Sequence, residues 1–366
     1  MNLCITRSNE YSYSETFIDN QIKELKPKIL LWEGWYPSVL PNQKSFLPFP
    51  FNYIGIRGTL RNLFPYFYHK LYTHFLASYL QKNKIDTLLA NYGPMGVALS
   101  DACVRANVKL FVHFHGFDAA EYQTLEKYKE KYKILFRKAT GIIVVSNDMK
   151  DQLLGLGANE ATIYLNPYGV EIGKFFGAKP ENKLPIFISV GRFTAKKAPL
   201  LTIKAFEKVL KSLPNAKLIM IGEGELWEDA KRLVDRLKLS ESIEFKGKKS
   251  PKEIAEYLRE AKVFVQHSLR AKNGDSEGTP NTILEASATG LPIISTRHAG
   301  IKDAVVHGET GFLVKEGDWE MMATYMVQLV QDPQLAGKMG RSARKHMEEN
   351  YEMSKRVQIL REILEK

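Results

Sequence analysis

The chain has 366 residues, which is more than one ordinary hydrophobic core holds and therefore predicts two domains. Hydrophobic residues make up 44% and charged residues 25%, which is typical of a globular protein, and no apolar run of about 20 residues would span a bilayer. The formal net charge of +11 fits nucleic acid, an anionic membrane surface, anionic substrates or plain solubility. Because basic residues are dispersed and no zinc, helix-turn-helix or RNA-recognition motif occurs, we do not expect nucleic acid as a partner.

The N-terminus and the cysteines bear on the compartment. The first residues, MNLCITRSNEYSYSE, lack the basic flank and apolar core of a signal peptide. The two cysteines, Cys4 and Cys103, lie in apolar segments and are expected to be reduced, buried thiols. We therefore expect a cytoplasmic protein, and leave open a peripheral position on the inner face of the cell membrane.

Short β-branched runs alternate with helical stretches along the chain. The first series of predicted strands is KILLW, DTLLAN, KLFVHFHG, GIIVVS and TIYLNP; the second is PIFISVGR, KLIMIGEG, SIEFKG, KVFVQHS, PIISTR and TGFLV. Continuous apolar strands alternating with helices predict parallel sheets buried on both faces, here as two doubly wound α/β domains. In such domains ligands bind beyond the carboxyl ends of the strands, so we expect the ligand in a cleft between the two.

Composition also sets the predicted domain boundaries. We assign residues 1–170 to an N-terminal domain and residues 186–345 to a C-terminal domain. The Gly/Pro/Lys-rich residues 171–185 are predicted to be a linker, and residues 346–366 a helical tail that we expect to return to the N-terminal domain.

The segment Phe46–Leu80 departs from this alternation because it is crowded with aromatic residues and carries Arg57, Arg61 and Lys70. A basic, aromatic, amphipathic element is typical of a surface that lies on a membrane or binds a lipid-linked substrate. The same stripe is also typical of core packing, and the sequence leaves both interpretations open.

The stretch SEGTPNTILEASATG predicts an anion-binding helix start. Thr279 is a suitable N-cap and Pro280 suits the first helical position. The next three N–H groups, on Asn281, Thr282 and Ile283, are then expected to lack partners within the helix and to point at an anion. Beside them, Gly278 lets a ligand approach the backbone closely. Gly290, followed by Pro292, is expected to end the helix.

Two carboxylates flank this helix start, Glu277 before it and Glu285 within it. Glu285 lies one turn after Asn281 on a face of small residues, where a carboxylate can accept hydrogen bonds from the two hydroxyls of a ribose. Glu277 is placed to bind hydroxyls of a sugar, with phosphates between the two acids. The spacing therefore fits a nucleotide diphospho-sugar, although an ordinary capped surface helix has the same pattern.

A second cluster follows the strand in FISVGRFTAKKAP. The strand ends at Gly191, and Arg192 and Lys197 follow at its carboxyl end, where two cations would stabilise a diphosphate leaving group. Such cations are also commonly just solvated. Because exposed cations contribute little to stability, we expect removal of either Arg192 or Lys197 to leave melting near that of the wild type.

Three further patterns are weaker. IGEGELWE resembles a dinucleotide-binding turn with Glu244 as the ribose acid, but Trp227 occupies the place of a small residue, so a plain strand-to-helix turn is favoured. His113 and His115 face one side of a strand without a third ligand at zinc spacing. Asp275 and Glu277 only faintly resemble a metal-binding pair, so no metal is expected.

Together these motifs resemble glycosyltransferase family 4, the retaining transferases of GT-B fold. The resemblance is carried by the two glutamates in EGTPNTILEASATGLPIIST and by VGRFTAKKAP, IGEGELW and HFHG, and more loosely by SETFIDNQI and NPYGVE. SETF together with GDSEGTPNTILEA is most similar to the bacterial exopolysaccharide subgroup of colanic-acid type. The family's double-glycine acceptor loop is replaced here by RSNEYSYSE, which leaves the acceptor undefined.

The resemblance implies a function and a role for each matching residue. The activity would be transfer of a hexose-type sugar from a nucleotide diphospho-sugar, with UDP-sugar as the expected donor, to a saccharide or lipid-linked acceptor, without a metal cofactor. Catalytic roles would fall to Arg192, Lys197, Glu277 and His115, and acceptor contacts to Glu15 and His115. The donor-binding residues would be Gly191, Arg192, Lys197, Gly247, Lys248, Glu277, Gly278, Thr279, Pro280, Asn281, Thr282, Ile283 and Glu285.

Other functions remain open at this point. A non-catalytic nucleotide-sugar-binding protein would keep the fold and bind without turnover. A phosphorylase or an epimerase of the same fold would depend on inorganic phosphate or convert the donor without an acceptor. A nucleic-acid or anionic-surface binder, suggested by the charge of +11, would show steep salt dependence.

Overall fold

The computed structural model describes residues 1–9 and 15–366. The chain divides into two compact units, each with its own six-stranded sheet. The first unit comprises Met1–Val145, Met149–Asn166 and Val357–Lys366, and the second comprises Ser146–Asp148 and Pro167–Arg356. No helix in the described ranges is long and apolar enough to cross a lipid bilayer.

The sheet of the first unit is parallel throughout and has the strand order β2-β1-β3-β4-β5-β6. Its strands are β1 Leu3–Thr6, β2 Ile29–Leu31, β3 Thr87–Asn91, β4 Lys109–His113, β5 Gly141–Val144 and β6 Ile163–Leu165. Five of these strands are predicted from their apolar runs. The sixth, β1, is not, because LCIT is only four residues long and contains two weakly apolar side chains.

Helices connect these strands. They are α1 Thr16–Leu25, α2 Ile54–Leu63, α3 Pro65–Lys82, α4 Gly93–Ala106, α5 Phe117–Ala120, α6 Tyr122–Lys138 and α7 Asn147–Gly155. The central strands β3 and β5 are buried along their whole length, as expected for a sheet covered on both faces.

The sheet of the second unit is also parallel, with the order β12-β11-β10-β7-β8-β9. Its strands are β7 Ile186–Val190, β8 Lys217–Ile221, β9 Ile243–Phe245, β10 Val263–Val265, β11 Ile293–Thr296 and β12 Gly311–Val314, and all six are predicted. The helices are α8 Pro199–Leu210, α9 Trp227–Arg236, α10 Pro251–Glu260, α11 Asn281–Thr289, α12 Ile301–Ala304, α13 Trp319–Gln331 and α14 Pro333–Asn350. A last helix, α15 Met353–Glu365, begins in the second unit and continues into the first.

The unit boundaries differ in places from those predicted. Residues 171–185, predicted as a linker, are packed within the second unit, where the Ala178 N–H donates to the Thr289 carbonyl at 2.9 Å and Phe175 is buried. Helix α14 belongs to the same unit. Only the last part of the predicted tail, Val357–Lys366, is grouped with the first unit.

The aromatic segment Phe46–Leu80 divides into a buried part and an exposed part. Along α3, Tyr68, Tyr72, Leu76 and Leu80 are buried, and the Tyr72 hydroxyl donates to the Pro37 carbonyl at 2.8 Å. Eight large apolar side chains before and at the start of α3 are instead exposed. They are Phe49, Tyr53, Ile54, Ile56, Leu63, Phe64, Tyr66 and Phe67. The segment therefore contains both core packing and an exposed apolar surface.

Arg57 does not belong to the exposed part of this segment. Its guanidinium is buried and pairs with both carboxylate oxygens of Glu33, at 2.5 and 2.9 Å, and it also contacts the Ser38 hydroxyl. A membrane role for Arg57 is therefore wrong, because its charge is already neutralised inside the first unit. Arg61 and Lys70 are exposed.

Candidate functional site

The carboxyl ends of β7 and β8 form the base of the candidate site in the second unit. Gly191 follows β7 and Gly222 follows β8, and a Cβ on Gly222 would lie 2.0 Å from the Gly191 carbonyl oxygen. Gly222 also has a φ of +129°, which a side chain rarely adopts. Only glycine allows the two loops to approach this closely, and the approach fixes the start of the Arg192–Lys197 loop.

Lys197 and Glu277 form an ion pair. Lys197 follows β7, Glu277 precedes α11, and their Nζ and Oε2 atoms are 3.1 Å apart. The side chains are only 14% and 7% exposed. Burial by itself would raise the pKa of the Glu277 carboxyl, but the nearby ammonium groups of Lys197 and Lys196 hold this pKa below its usual value. Glu277 is therefore an anion held by a buried cation.

The other carboxylate oxygen of Glu277, Oε1, is buried and has no hydrogen-bond partner among the described residues. A buried acceptor of this kind is energetically unfavourable unless a donor reaches it. Sugar hydroxyls are donors of the required type. Glu277 thus has one oxygen held by Lys197 and one buried oxygen that is able to accept a further hydrogen bond.

Arg192 differs from Lys197 in its surroundings. The Arg192 side chain is exposed and has no ion pair within the described ranges. Burial lowers the pKa of Lys197, and Arg192 adds to this lowering through its charge, which places the two cations near one another. The sequence predicts two equivalent, exposed cations. In the structure only Arg192 is exposed and without an ion pair in the described ranges, whereas the Lys197 ammonium is buried and paired.

The start of α11 corrects part of the predicted anion site. Pro280 has a ψ of 105°, so it is the N-cap and lies outside the helix, and no side chain caps this end. Thr279 is therefore not the N-cap, and Pro280 is not the first helical residue. The Ile283 N–H donates to the Pro280 carbonyl at 3.0 Å, so the predicted triple of donors is reduced to the N–H groups of Asn281 and Thr282.

Glu285 lies in a different environment from Glu277. Its side chain is half-buried, and burial raises the pKa of its carboxyl to about 8, against a smaller opposing effect of Lys174. No hydrogen bond to its carboxylate occurs within residues 1–9 and 15–366. The helix ends at Gly290, which has the left-handed conformation predicted for it.

The predicted base-binding residues follow β9. Gly247 has a φ of +61°, and its carbonyl accepts the Gly222 N–H at 2.9 Å, which ties this turn to the end of β8. Lys248 is exposed and pairs with Glu223 at 3.2 Å. The position of both residues at the carboxyl end of a strand is compatible with a ligand contact, and their role stays a prediction.

Sequence reasoning does not find His298, which follows β11. This histidine is buried, and its Nε2 accepts the Glu277 N–H at 3.2 Å and lies 3.1 Å from the Ser276 hydroxyl. Its Nδ1 is 2.6 Å from Glu316 Oε1. The available signal was a histidine two residues after a buried strand, at the edge of the sheet where ligands bind.

In the first unit, the predicted residue His115 follows β4, and the predicted residue Glu15 directly precedes α1. His115 is buried beside His113, with ring centroids 4.3 Å apart, and its Nε2 is 3.0 Å from Asn91 Oδ1. Burial, and then His113, lower the pKa of His115 well below its usual value, so the ring is neutral. Glu15 Oε1 accepts the Tyr92 hydroxyl at 2.7 Å. Most of the predicted acceptor loop, residues 10–14, lies outside the described residues.

Two weaker sequence patterns have structural explanations. Trp227 packs against Phe193 and Phe245, with centroid distances of 4.9 and 5.3 Å, and Glu244 pairs with Lys246, so IGEGELWE is a packed strand-to-helix turn. No group of three or more histidine, cysteine, aspartate or glutamate side chains in the described part of the chain is arranged to hold a metal ion. Independence from metal stays a prediction.

Comparisons with known proteins address the family. The family model of glycosyl transferases group 1 matches residues 172–346, and that of glycosyltransferase family 4 matches residues 30–174. The amylovoran biosynthesis glycosyltransferase AmsK of Erwinia amylovora is 31% identical over 288 residues, covering 77% of this chain and 70% of AmsK. The chain belongs to glycosyltransferase family 4. The putative colanic acid biosynthesis glycosyltransferase WcaL of Escherichia coli is 29% identical, covering 66% of this chain and 60% of WcaL.

Solved structures address the fold of this family member. The Anabaena protein HepE, solved with UDP and glucose, superposes with a TM-score of 0.78 over 100% of this chain and 99% of HepE, at 16% identity. Sucrose-phosphate synthase of Thermosynechococcus elongatus superposes with a TM-score of 0.75 over 99% of this chain and 97% of that enzyme, at 18% identity. The chain therefore has the GT-B fold, as the sequence predicts.

The raised pKa of Glu285 predicts how stability depends on pH. A glutamate titrates near 4.3 when unfolded, and Glu285 titrates near 8 when folded, so the folded state holds the extra proton between these values. Stability is then lost as pH rises towards 8. We therefore compare the free energy of unfolding of E285Q with that of the wild type. The advantage of E285Q should increase by roughly 2–4 kcal/mol from pH 5 to pH 8 and stay constant at higher pH.

Chemical unfolding of the two proteins at pH 5, 6, 7, 8 and 9 measures this difference. E309Q, a change at an exposed glutamate of the same unit, is the matched control and should show no such trend. A constant difference between E285Q and the wild type across this range contradicts the assignment of a buried, protonated Glu285.

Proposed function

We propose that the chain is a retaining glycosyltransferase that moves a hexose-type sugar from a nucleotide diphospho-sugar to a saccharide or lipid-linked acceptor. A UDP-sugar is the proposed donor. The observation that carries the proposal is the buried, unpartnered Oε1 of Glu277 beside the Lys197 ammonium, because it offers a hydroxyl acceptor and a phosphate-binding cation side by side. The names of AmsK and WcaL support a role in exopolysaccharide biosynthesis, and the UDP bound to HepE supports the donor class.

In this proposal the donor diphosphate binds between Arg192, Lys197 and the start of α11. Arg192 contributes an uncommitted guanidinium, and the N–H groups of Asn281 and Thr282 contribute two donors at the positive end of the helix. When the donor binds, the Lys197 ammonium replaces part of its hydrogen bonding to Glu277 with hydrogen bonding to a phosphate oxygen. Glu277 gains hydroxyl donors from the sugar in exchange, so that neither buried charge is left unpaired.

The nucleoside end is assigned to the remaining predicted residues. Glu285, one turn into α11, binds the ribose hydroxyls, and the backbone at Gly247 and Lys248 contacts the base. A carboxyl with a pKa of about 8 is mostly protonated at neutral pH, so it is able to accept one hydroxyl and donate to the other. His115 and Glu15 of the first unit are assigned to the sugar and the acceptor.

The chemical step proposed is front-face displacement. The bond between the sugar and the diphosphate breaks as the acceptor oxygen bonds to the same carbon from the same face, and the departing phosphate oxygen takes the acceptor proton. Negative charge accumulates on the diphosphate, so Arg192, Lys197 and the α11 amides stabilise the transition state more than the bound donor. No metal ion is needed when these groups carry the counter-charge.

The donor assignment is tested by a thermal-shift screen against UDP-, GDP- and ADP-sugars in buffer containing EDTA. A ligand that binds only the folded state raises the apparent melting temperature, so a UDP-sugar should stabilise the protein and a saccharide acceptor should then be glycosylated. Stabilisation without transfer to any acceptor would favour a binding protein, and phosphate-dependent or acceptor-free conversion would favour a phosphorylase or an epimerase. Activity that is lost in EDTA and restored by Mn²⁺ would bring Asp275 and Glu277 back as metal ligands.

The two cations should respond differently to removal. We expect R192A to lower kcat about a hundredfold, roughly 3 kcal/mol, with melting unchanged because the side chain is exposed. K197M should lower kcat similarly but also destabilise the fold by roughly 3–5 kcal/mol, since it leaves Glu277 charged and buried. The double variant K197M/E277Q should regain stability without activity.

Kinetics with a saturating donor and melting curves of the same preparations measure these effects. K208A removes an exposed lysine of the second unit and serves as the control for both readouts. Full kcat in R192A and K197M would remove the electrostatic basis of the proposed mechanism.

A second observation favours peripheral binding to an anionic membrane. Eight large apolar side chains from Phe49 to Phe67 are exposed, and the exposed basic residues Arg61 and Lys70 lie in the same segment. Four of the eight are more than 60% exposed, namely Phe49, Ile54, Leu63 and Tyr66. Exposed aromatic and basic side chains together fit the boundary between lipid headgroups and acyl chains. We propose that this segment holds the enzyme at the inner face of the cell membrane, where a lipid-linked acceptor would lie.

Flotation with vesicles containing anionic lipid tests the membrane surface. The protein should float at low salt, and R61E/K70E should weaken binding about tenfold or more, since each basic residue near such a surface contributes about 1 kcal/mol. K211E/K338E makes the same change in charge on the second unit and should float like the wild type. Equal flotation of all three proteins would contradict the proposal that this segment binds the membrane.

A further inference from the structure

The loop Ser276–Gly278, which carries Glu277, is held by the turn that follows β11. His298 Nε2 accepts the Glu277 N–H at 3.2 Å and lies 3.1 Å from the Ser276 hydroxyl. Two residues later, a Cβ on Gly300 would lie 2.1 Å from the Gly278 carbonyl oxygen. Three consecutive loop residues are thus each in contact with the turn His298–Gly300.

These contacts define which ring nitrogen of His298 accepts a hydrogen bond and which one donates. A backbone N–H only donates, so Nε2 must be the unprotonated nitrogen that accepts it. Nδ1 then carries the proton and donates to Glu316 Oε1 at 2.6 Å, while Glu316 Oε2 accepts the Arg270 N–H at 3.0 Å. Glu316 thus accepts hydrogen bonds from both Arg270 and His298, and His298 in turn accepts one from Glu277.

Gly300 provides an independent reason for the close contact. Its φ of −68° is available to any residue, so backbone freedom does not require glycine here. The requirement is steric, because any side chain would displace the Gly278 carbonyl. The turn therefore fixes the loop both by hydrogen bonds and by contact.

We propose that His298, oriented by Glu316, is a positioning residue for the sugar end of the donor site. It fixes the backbone of Glu277 so that one carboxylate oxygen reaches Lys197 and the other, unpartnered oxygen is offered to the transferred sugar. This inference rests on the proposed function for its effect on catalysis. The effect falls on the sugar and spares the nucleotide, because within the described residues His298 hydrogen-bonds to residues 276 and 277 of the site and to none of the residues assigned to ribose or base.

Two near-isosteric substitutions separate this role from a structural one. In H298Q the amide oxygen takes the place of Nε2 and still accepts the Glu277 N–H, whereas in H298N the amide takes the place of Nδ1 and keeps only the Glu316 contact. We expect H298N to lower kcat/KM for a UDP-sugar about tenfold or more, because small misplacements at a reacting centre have large effects, with the affinity for UDP within about twofold of wild type. H298Q should recover most of the loss.

A measurement without donor keeps the inference testable apart from the proposed function. Hydrogen exchange of the peptide that contains residues 276–278 should be faster in H298N than in the wild type and close to wild type in H298Q. H307A is the matched control, since His307 accepts the Leu313 N–H at 2.9 Å in the same unit and should leave this peptide unchanged.

Each result decides one of the two claims. Equal exchange of the 276–278 peptide in H298N and the wild type, or equal losses of kcat/KM in H298N and H298Q, would overturn the positioning role. Absence of turnover and donor binding in the wild type would overturn the proposed function, while the exchange data would still decide whether His298 holds Glu277.

Discussion

The buried pair of Lys197 and Glu277 is the interaction on which the rest of the candidate site depends. Removing two charges from water is unfavourable, and their mutual attraction offsets this only when the geometry is good. Here the Nζ–Oε2 distance is 3.1 Å, yet within the described residues no hydrogen bond reaches the second oxygen of Glu277. A pair that serves stability alone is expected to have both oxygens satisfied. The incomplete pairing is therefore the reason for proposing a ligand at this pair.

The parallel sheet explains why residues distant in sequence meet at this pair. Arg192 and Lys197 follow β7. The loop that carries Glu277 follows β10, which is adjacent to β7 in the sheet order, and precedes α11. All strands of a parallel sheet place their carboxyl ends at one edge, so loops that are about 80 residues apart in sequence converge there. Gly222 and Gly300 then allow loop-to-loop distances that a side chain would prevent.

The sequence predicts the features that depend on local pattern. Eleven of the twelve strands have apolar runs long enough to be found, and the αL residue Gly290 ends α11 as expected. Partners chosen by tertiary packing are not predictable in this way. Arg57 lies in a basic, aromatic segment, yet the fold buries it against Glu33, and Lys197 resembles Arg192 in sequence but is paired and buried.

The start of α11 shows a subtler limit. Thr followed by Pro is a common pattern at a helix N-terminus, and it predicts Thr279 as the cap. In the structure the extended ψ of Pro280 delays the first helical residue to Asn281, and the Pro280 carbonyl accepts the Ile283 N–H. The donors left for an anion are decided by one backbone angle, which the residue types do not specify.

The two glutamates of the motif have opposite electrostatic environments, and this difference suggests a division of labour. Cations hold the pKa of Glu277 below its usual value despite burial, whereas burial raises the pKa of Glu285 to about 8. Groups whose surroundings move their pKa values apart usually have different tasks. A permanently charged Glu277 is suited to a centre where cationic character develops on the sugar. A largely neutral Glu285 is suited to a diol that needs both an acceptor and a donor. In the proposed complex with the donor it would add little repulsion to a diphosphate one helical turn away.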